Sequence, residues 1–246
     1  MTLRYDKNNQ LQYIIYNRVD TNTDVDNPEI KRHIVYSILG NSIITYNKGA
    51  FDKVEFTAGT LFYEDDTQTS YSAVSQKIAM GDVLNVKYKQ NGAIDYVIYE
   101  EGNTIGPVTV SGTSWYSSFG VDPDSTTIMR DGVKTALSEV KVNDIAYYSK
   151  DLDMILTYSK KVTGVYESAT PNKDTPQSVT VSGITYVLEG VDAFTKLSSN
   201  GSFNLGDTVT LLLGKSGEVA DVLTQAQLSD EVYGYLIETG TKETTV

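Results

Sequence analysis

The acidic segment near the N-terminus holds the residues best suited to bind a metal ion. Its oxygen ligands stand at alternate positions, as they do at the start of a calcium-binding loop: Asp20, Asn22, Asp24 and Asp26. Two residues depart from the EF-hand pattern, because Val25 stands where that loop needs glycine and Lys31 stands where it needs a bidentate glutamate. Two interpretations are open for this segment, a solvated hairpin loop and a calcium site. No other cofactor is predicted.

Catalytic chemistry finds little support in the residue types. His33 is the only histidine and cysteine is absent, so a catalytic triad has a single imidazole to draw on and a thiolate site cannot form. Paired carboxylates such as Glu64–Asp66 and Glu100–Glu101 fall in predicted loops, without the apolar flank that raises the pKa of a general acid. We therefore predict that the chain is not an enzyme.

The single tryptophan, Trp115, is the residue best suited to contact a sugar, since an exposed indole offers an apolar face to a sugar ring. Trp115 also takes the place that Tyr186 occupies in a similar phrase further along the chain. Exchange between aromatic residues at a repeated position is typical of core packing. Both interpretations, packing and possible glycan contact, are open.

The charge balance limits the classes of partner. The 246 residues include 32 acidic and 20 basic side chains, which gives a net charge of −12. Nucleic acid and anionic lipid surfaces are disfavoured as partners, because both require clustered lysine and arginine. No apolar stretch approaches the roughly 20 residues of a membrane helix, which predicts no membrane insertion. The 18 tyrosines and 19 glycines, with many Thr, Val and Ser residues, favour strands and turns.

A Gly-Asp phrase recurs along the chain and indicates an array of similar modules. Its aspartates, Asp82, Asp144 and Asp207, are separated by 62 and 63 positions. Glycine permits a tight backbone bend before a strand, and the aspartate beside it can accept hydrogen bonds from nearby backbone N–H groups. The middle copy has Asn143 in place of glycine, and asparagine also tolerates left-handed geometry. We predict a structural role for all three carboxylates.

The strands and turns around this phrase repeat as well. Asn91-Gly92 and Ser216-Gly217 predict type I′ hairpins. Apolar residues three apart in the return strands predict either a bulge or a strand that curls at a barrel edge. Val108–Trp115 and Val179–Tyr186 each predict a strand, a glycine-marked turn and a second strand. The connectors predict single helical turns at Ala73–Ser75, Ala136–Ser138 and Phe194–Ser198. The predicted fold class is all-β, with tandem small β-barrel or sandwich modules and short single-turn helices.

The repeat spacing divides the chain into whole and partial modules. The chain is expected to open on the last hairpin of a preceding module, since residues 5–15 align with residues 88–98. It is expected to end at the start of a following module. The predicted divisions are the terminal hairpin plus a loop at 1–33, three β-modules at 34–105, 106–161 and 162–231, and the start of the next module at 232–246.

One part of the chain resembles a known class of bacterial protein. The phrases Lys160–Glu167, Ser178–Gly183, Leu205–Asp207 and Ala220–Val222 make residues 140–235 similar to the non-anchoring β-repeat body of clostridial surface proteins. Those proteins carry S-layer homology anchors elsewhere in the chain, and the anchor motif is not visible in this sequence. The resemblance implies an exported protein of the Gram-positive cell surface and implies no known chemistry.

The sequence as a whole favours a structural and interaction segment of an exported, S-layer-like cell-surface protein. Such a segment would act as a spacer or as a scaffold that packs laterally. Its partners would be other surface-layer or cell-wall components, and its location the extracellular bacterial surface. The alternative function is a carbohydrate-binding module that recognises cell-wall or plant polysaccharide. An aromatic strip on one flat face would distinguish this alternative from the scaffold.

Overall fold

Strands dominate the computed structural model, which describes residues 2–5, 11–15, 30–47, 49–65 and 67–223. Within these ranges the strands form a two-stranded hairpin, two five-stranded sheets and one seven-stranded sheet, with two short α-helices between strands. The predicted all-β class is confirmed. The hairpin pairs β1 (Thr2–Tyr5) with β2 (Leu11–Ile15) in antiparallel register.

The seven-stranded sheet follows this hairpin. Its strands are β3 (Ile30–Leu39), β4 (Ser42–Asn47), β5 (Ala50–Glu55), β6 (Leu61–Glu64), β7 (Thr67–Thr69), β8 (Val83–Tyr88) and β9 (Ile94–Glu100). They lie in the order β5-β4-β3-β8-β9-β6-β7, in which β6 is parallel to β9 and the other neighbours are antiparallel. Helix α1 (Tyr71–Val74) packs on an apolar core that includes Val35, Ile43, Phe62, Leu84 and Val97.

The second sheet repeats the topology of the first on a smaller scale. Its strands are β10 (Thr104–Thr109), β11 (Thr127–Arg130), β12 (Val133–Thr135), β13 (Ile145–Ser149) and β14 (Met154–Tyr158). They lie in the order β10-β13-β14-β11-β12, which matches β3-β8-β9-β6-β7 strand for strand. The parallel pair β11–β14 corresponds to the parallel pair β6–β9. The repeated sequence phrase therefore corresponds to a repeated arrangement of strands.

The third sheet is built around a long first strand. Its elements are β15 (Lys161–Thr170), β16 (Ser178–Val181), β17 (Ile184–Val187), helix α2 (Val191–Leu197), β18 (Thr208–Leu213) and β19 (Val219–Leu223). The strand order is β17-β16-β15-β18-β19. Strand β15 pairs with β18 over residues 161–165 and with β16 over residues 166–170. Strand β3 divides its pairing between β8 and β4 in the same way.

Barrel closure, one of the two predicted forms of the module, is not found in the described part of the chain. The nearest approach to closure is in the third sheet, where Leu188 forms a single parallel bridge with Val219. The pairing cannot extend further, because Gly190 adopts a φ of 112° and the chain enters α2 at the next residue. The three larger sheets are therefore open.

The helical turns predicted in the three connectors are confirmed. They form at Tyr71–Val74, at the 3-10 turn Leu137–Glu139 and at Val191–Leu197. The first is capped by Ser70, whose Oγ accepts a hydrogen bond from Ala73 N at 3.2 Å. Helix α2 has seven residues and so exceeds the single turn that was predicted.

The hairpins after the Gly-Asp strands form with a different turn from the predicted type I′. Gly92 and Gly217 adopt positive φ values of 80° and 84°, whereas the preceding Asn91 and Ser216 do not. One left-handed residue after a type I turn gives a three-residue loop with a bulge. The register of both strand pairs shifts beside this turn. The predicted bulge is confirmed, and the predicted type I′ geometry is wrong.

The second repeated phrase forms a hairpin in only one of its two clear copies. At Val179–Tyr186, strands β16 and β17 flank Ser182 and Gly183, which both adopt positive φ as a type I′ turn requires. At Val108–Trp115 only Gly112 has positive φ, and the chain continues into a 3-10 turn. The predicted second strand after Gly112 is therefore wrong.

The chain divides into two compact units. The first contains the residues up to Gly106, Gly112–Val140 and Ala146–Thr157. The second contains Pro107–Ser111, Lys141–Ile145 and the residues from Tyr158 onward. Each unit has its own apolar core. The predicted module boundaries stay predictions.

Candidate functional site

Each Gly-Asp step closes the same small ring of hydrogen bonds. The carboxylate Oδ2 accepts from the backbone N of the residue three positions earlier, and the aspartate N donates to that residue's carbonyl oxygen. The N···Oδ2 and N···O distances are 2.8 and 3.1 Å for Asp82 with Ala79, 3.0 and 3.1 Å for Asp144 with Lys141, and 2.7 and 3.1 Å for Asp207 with Asn204. The three carboxylates therefore hold one and the same turn.

The same step attaches each phrase to the first strand of its sheet. Gly81 N donates to Val35 O and Val35 N donates to Asp82 O, both at 2.8 Å. The equivalent pair of bonds joins Asn143 and Asp144 to Val110 at 2.9 Å each, and joins Gly206 and Asp207 to Tyr166 at 2.8 and 2.9 Å. The aspartate turn thus positions the first residue pair of each strand ladder.

The residue before each aspartate has the left-handed backbone that the turn requires. The φ values are 93° at Gly81, 67° at Asn143 and 95° at Gly206. Asparagine is one of the few residues with a side chain that adopts this region readily. The tolerance predicted for Asn143 and the structural role predicted for the three aspartates are confirmed.

The first copy is the most deeply buried of the three. Asp82 has no solvent exposure, and its carboxylate also accepts from Tyr99 Oη and from Gly102 N, both at 3.0 Å. Burial, followed by the neighbouring Asp82 charge, raises the pKa of the Tyr99 phenol well above its usual range. Tyr99 therefore stays protonated and donates to the carboxylate, which suits support of the fold rather than proton transfer near neutral pH.

Asp151 fixes the segment that joins the first sheet to β10. Its Oδ1 lies 2.7 Å from Arg32 Nη2, and its Oδ2 accepts a 3.4 Å hydrogen bond from Asn103 N. Lys150 N donates to Asn103 O at 3.0 Å. No local pattern in the sequence marks the contact between Asp151 and Arg32, because the two residues lie 119 positions apart.

Asp221 forms the most buried ion pair of the second unit among the described residues. It is 5% exposed, and its Oδ1 lies 2.6 Å from Lys196 Nζ. Its Oδ2 accepts from Thr109 Oγ1 at 2.8 Å. Sequence reasoning did not select Asp221. A single acid inside the otherwise apolar strand Val219–Leu223 was the available signal, because a buried charge needs a partner.

His33 is half-buried beside an aromatic ring. Its Nε2 lies 3.2 Å from Tyr88 Oη, and the two rings meet edge to face at 6.2 Å. Burial lowers the pKa of His33, while Asp52 opposes this and Lys31 adds to it. The imidazole is therefore neutral near neutral pH. Among the described residues, no carboxylate makes the hydrogen bond to this imidazole that orients a catalytic histidine.

Trp115 is buried in the first unit, at 9% exposure. Its ring meets the rings of Tyr116 and Phe119 at near-right angles, with centroids 5.3 and 6.1 Å apart. This placement favours the packing interpretation, because a buried ring exposes little surface on which a sugar could stack. The glycan contact stays a prediction.

The predicted calcium ligands, Asp20, Asn22, Asp24 and Asp26, lie outside the described residues. Over the ranges that are described, no group of three or more His, Cys, Asp or Glu side chains is placed to hold a metal ion. The same ranges contain no helix long and apolar enough to cross a membrane.

No protein-family model matches the chain, and no curated protein matches it at a significant level.

Proposed function

We propose that the chain is a structural and interaction segment of an exported, S-layer-like bacterial surface protein, acting as a spacer or lateral-packing scaffold. The observation that carries the proposal is the shared turn at Asp82, Asp144 and Asp207. In every copy, the aspartate of the repeated Gly-Asp phrase accepts a backbone hydrogen bond with its carboxylate. A repeated residue with a repeated structural task is typical of a module that is copied for its shape.

Long-range side-chain contacts within each unit support the spacer role. In the first unit, Asp151 bridges Arg32 and Asn103 across the segment that joins β9 to β10. In the second unit, Asp221 bonds Thr109 of β10, although the two residues lie 112 positions apart. Cross-links of this kind restrict the backbone torsions of the segments that they hold.

The charge of the chain also suits the proposed location. A net charge of −12 keeps a densely packed surface protein hydrated and limits nonspecific association. Lateral contacts with other surface-layer or wall components would then form at the few exposed apolar positions. These include Leu39, Val133, Ile184 and Val191.

Surface labelling tests the location. Antibodies raised against the chain are expected to label intact cells of its source organism as strongly as permeabilised cells. Labelling that requires permeabilisation would refute the cell-surface assignment.

Limited proteolysis tests the spacer mechanism. A glutamate-specific protease is expected to spare Glu100 and Glu101 in the native chain, since Asp151 holds the connector beside them. Asp151→Ala should open this connector to cleavage, whereas Lys150→Ala is the matched control, because only the backbone of Lys150 bonds Asn103. Equal cleavage of both variants and the native chain would show that the connector is not fixed in this way.

A further inference from the structure

Three aromatic side chains form a cluster on the outer face of the first sheet. They are Tyr36 of β3, Tyr46 of β4 and Phe51 of β5, and we name them the aromatic platform. The ring centroids lie 4.9 Å apart for Tyr36 and Phe51, 5.3 Å for Tyr46 and Phe51, and 6.2 Å for the two tyrosines. Phe51 is 58% exposed, so the platform offers ring surface to solvent.

Strand register explains why these rings meet. Tyr46 lies directly opposite Phe51 in the β4–β5 pair, which places both side chains on one face. Thr45 and Val54, which strand alternation places on the other face, are buried. Tyr36 lies on the same face as the other two rings by ordinary alternation, because the preceding Val35 is fully buried on the other face and Ile34 lies opposite Tyr46.

An open depression of about 470 Å³ begins at the edge of the platform. Tyr46 lines it together with five polar residues: Asp122, Ser125, Thr126, Thr127 and Asp153. Because Tyr46 belongs to both features, ring surface and polar groups are continuous. The depression opens broadly to solvent, which suits a polymer that passes across it more than a small molecule that must be enclosed.

The polar groups of the depression are held in place by their own loops. Asp122 Oδ1 accepts from Asp124 N at 3.1 Å, and the Asp122 carbonyl accepts from Thr126 Oγ1 at 2.7 Å. Asp153 Oδ1 accepts from Tyr148 Oη at 2.6 Å. Within the part of the chain that the structure describes, the Oδ2 atoms of these two exposed residues have no hydrogen-bond partner. Fixed acceptors beside an apolar ring surface fix the orientation of a ligand that carries both C–H faces and hydroxyl donors.

We infer that the aromatic platform and this depression bind a neutral polysaccharide. The apolar face of a sugar ring would pack on Phe51 and Tyr46, while its hydroxyl groups would donate to Asp122 and Asp153. An anionic polymer is disfavoured, because both carboxylates and the net charge of −12 would repel it. This binding goes beyond the scaffold function, which requires no ligand.

Affinity electrophoresis of the whole chain tests the inference, with soluble xylan, hydroxyethyl cellulose, glycol chitin and a mixed-linkage β-glucan in the gel and polygalacturonate as the anionic polymer. At least one neutral polymer is expected to retard the chain, and polygalacturonate is not. Phe51→Ser should weaken that retardation roughly tenfold, since it removes the most exposed ring of the platform. Phe51→Tyr keeps an aromatic ring and should retain binding.

The matched control is Leu39→Ser, which removes an apolar side chain of similar exposure, 56%, from the same sheet. It should bind as the native chain does. Circular dichroism of every variant separates loss of binding from loss of fold. The inference is overturned if no neutral polymer retards the chain, or if Phe51→Ser and Leu39→Ser bind equally. A third outcome would also overturn it: the native chain binds no polymer, sediments as an oligomer, and loses this self-association in Phe51→Ser. The aromatic platform would then be a contact between copies of the chain.

Discussion

Tyr99 Oη donates a 3.0 Å hydrogen bond to Asp82 Oδ2 inside the first unit, where neither side chain is more than 3% exposed. Backbone N–H groups of Ala79 and Gly102 donate to the same carboxylate. Three donors therefore converge on one buried anion. Asp207 makes the same turn in the third copy, yet it is exposed. The chain thus carries one motif in two very different environments.

The first prediction is that the cost of losing the carboxylate follows burial. Asp82→Ala should lower the free energy of unfolding by about 3 kcal/mol or more, because it leaves three donors without an acceptor, two of them on the backbone. Asp207→Ala should cost about 1 kcal/mol, since water can replace its acceptor. Urea unfolding followed by circular dichroism measures both, and Tyr99→Phe, which removes one donor, should fall between them. Equal costs for Asp82 and Asp207 would contradict the argument.

The local features of the fold were predictable because each depends on the residue types within one short segment. The Gly-Asp step needs a left-handed residue followed by a short acceptor, and both requirements are visible in the sequence at Gly81-Asp82 and Asn143-Asp144. The three helical turns were predictable for the same reason. The turn type at Asn91-Gly92 was not, because the φ of Asn91 depends on how the flanking strands pair and not on the dipeptide alone.

The long-range contacts were not predictable from the sequence. Asp151 contacts Arg32, which lies 119 positions away, and Asp221 contacts Thr109, which lies 112 positions away. No periodic pattern in the sequence predicts contacts between residues so far apart. The aromatic platform escaped prediction because its three rings lie on three different strands, and alternation within one strand does not show which strands pair or in which register. Tyr46 and Phe51 meet because β4 and β5 pair with these two residues opposite each other.

The second prediction concerns Gly102, which permits close contact with another backbone segment of the first unit. A Cβ at this position would lie 2.0 Å from Gly81 O and 2.6 Å from Gly81 C. Backbone atoms cannot move aside cheaply, so Gly102→Ala should destabilise the chain by about 2–3 kcal/mol or more. It should also disturb the hydrogen bond from Gly102 N to Asp82.

Gly59→Ala is the matched control for Gly102→Ala. No atom lies within 4 Å of the Cβ that it adds, so its effect on the free energy of unfolding should stay within about 0.5 kcal/mol. Thermal melts and urea titrations of the two variants, run side by side, measure the difference. If both glycines tolerate alanine, the close approach between Gly102 and Gly81 does not exist.

The third prediction is a pH dependence that comes from His33. The native pKa of His33 lies below its ordinary value of 6.5, with burial as the main cause. The groups that face it are Tyr88, Asp52 and Lys31. Because the unfolded chain binds a proton more readily than the native one, the contribution of His33 is fully present above about pH 6.5 and is lost as the pH falls through the native pKa.

Urea unfolding at about pH 7.5 and about pH 5.5 measures this contribution. The native chain should lose more stability over that interval than His33→Gln, which cannot take up the proton. Carboxylates titrate alike in both proteins, so their effect cancels in the comparison. An identical loss in both would show that His33 titrates in the native state as it does in water.

The fourth prediction is that Lys196 and Asp221 are coupled energetically. Lys196→Met should cost about 2 kcal/mol, since it leaves Asp221 buried with Thr109 Oγ1 and Val222 N as its remaining donors. Asp221→Asn keeps the shape and loses the charge, so the double variant should be more stable than the sum of the single costs predicts, by about 1–2 kcal/mol. The same cycle on the exposed pair Lys53 and Glu55 should give a much smaller coupling, because solvent screens the two charges, and this coupling should vanish in high salt. Equal coupling energies in the two cycles would mean that burial of Asp221 adds nothing to its ion pair, and that the bond from Asp221 to Thr109 does not depend on Lys196.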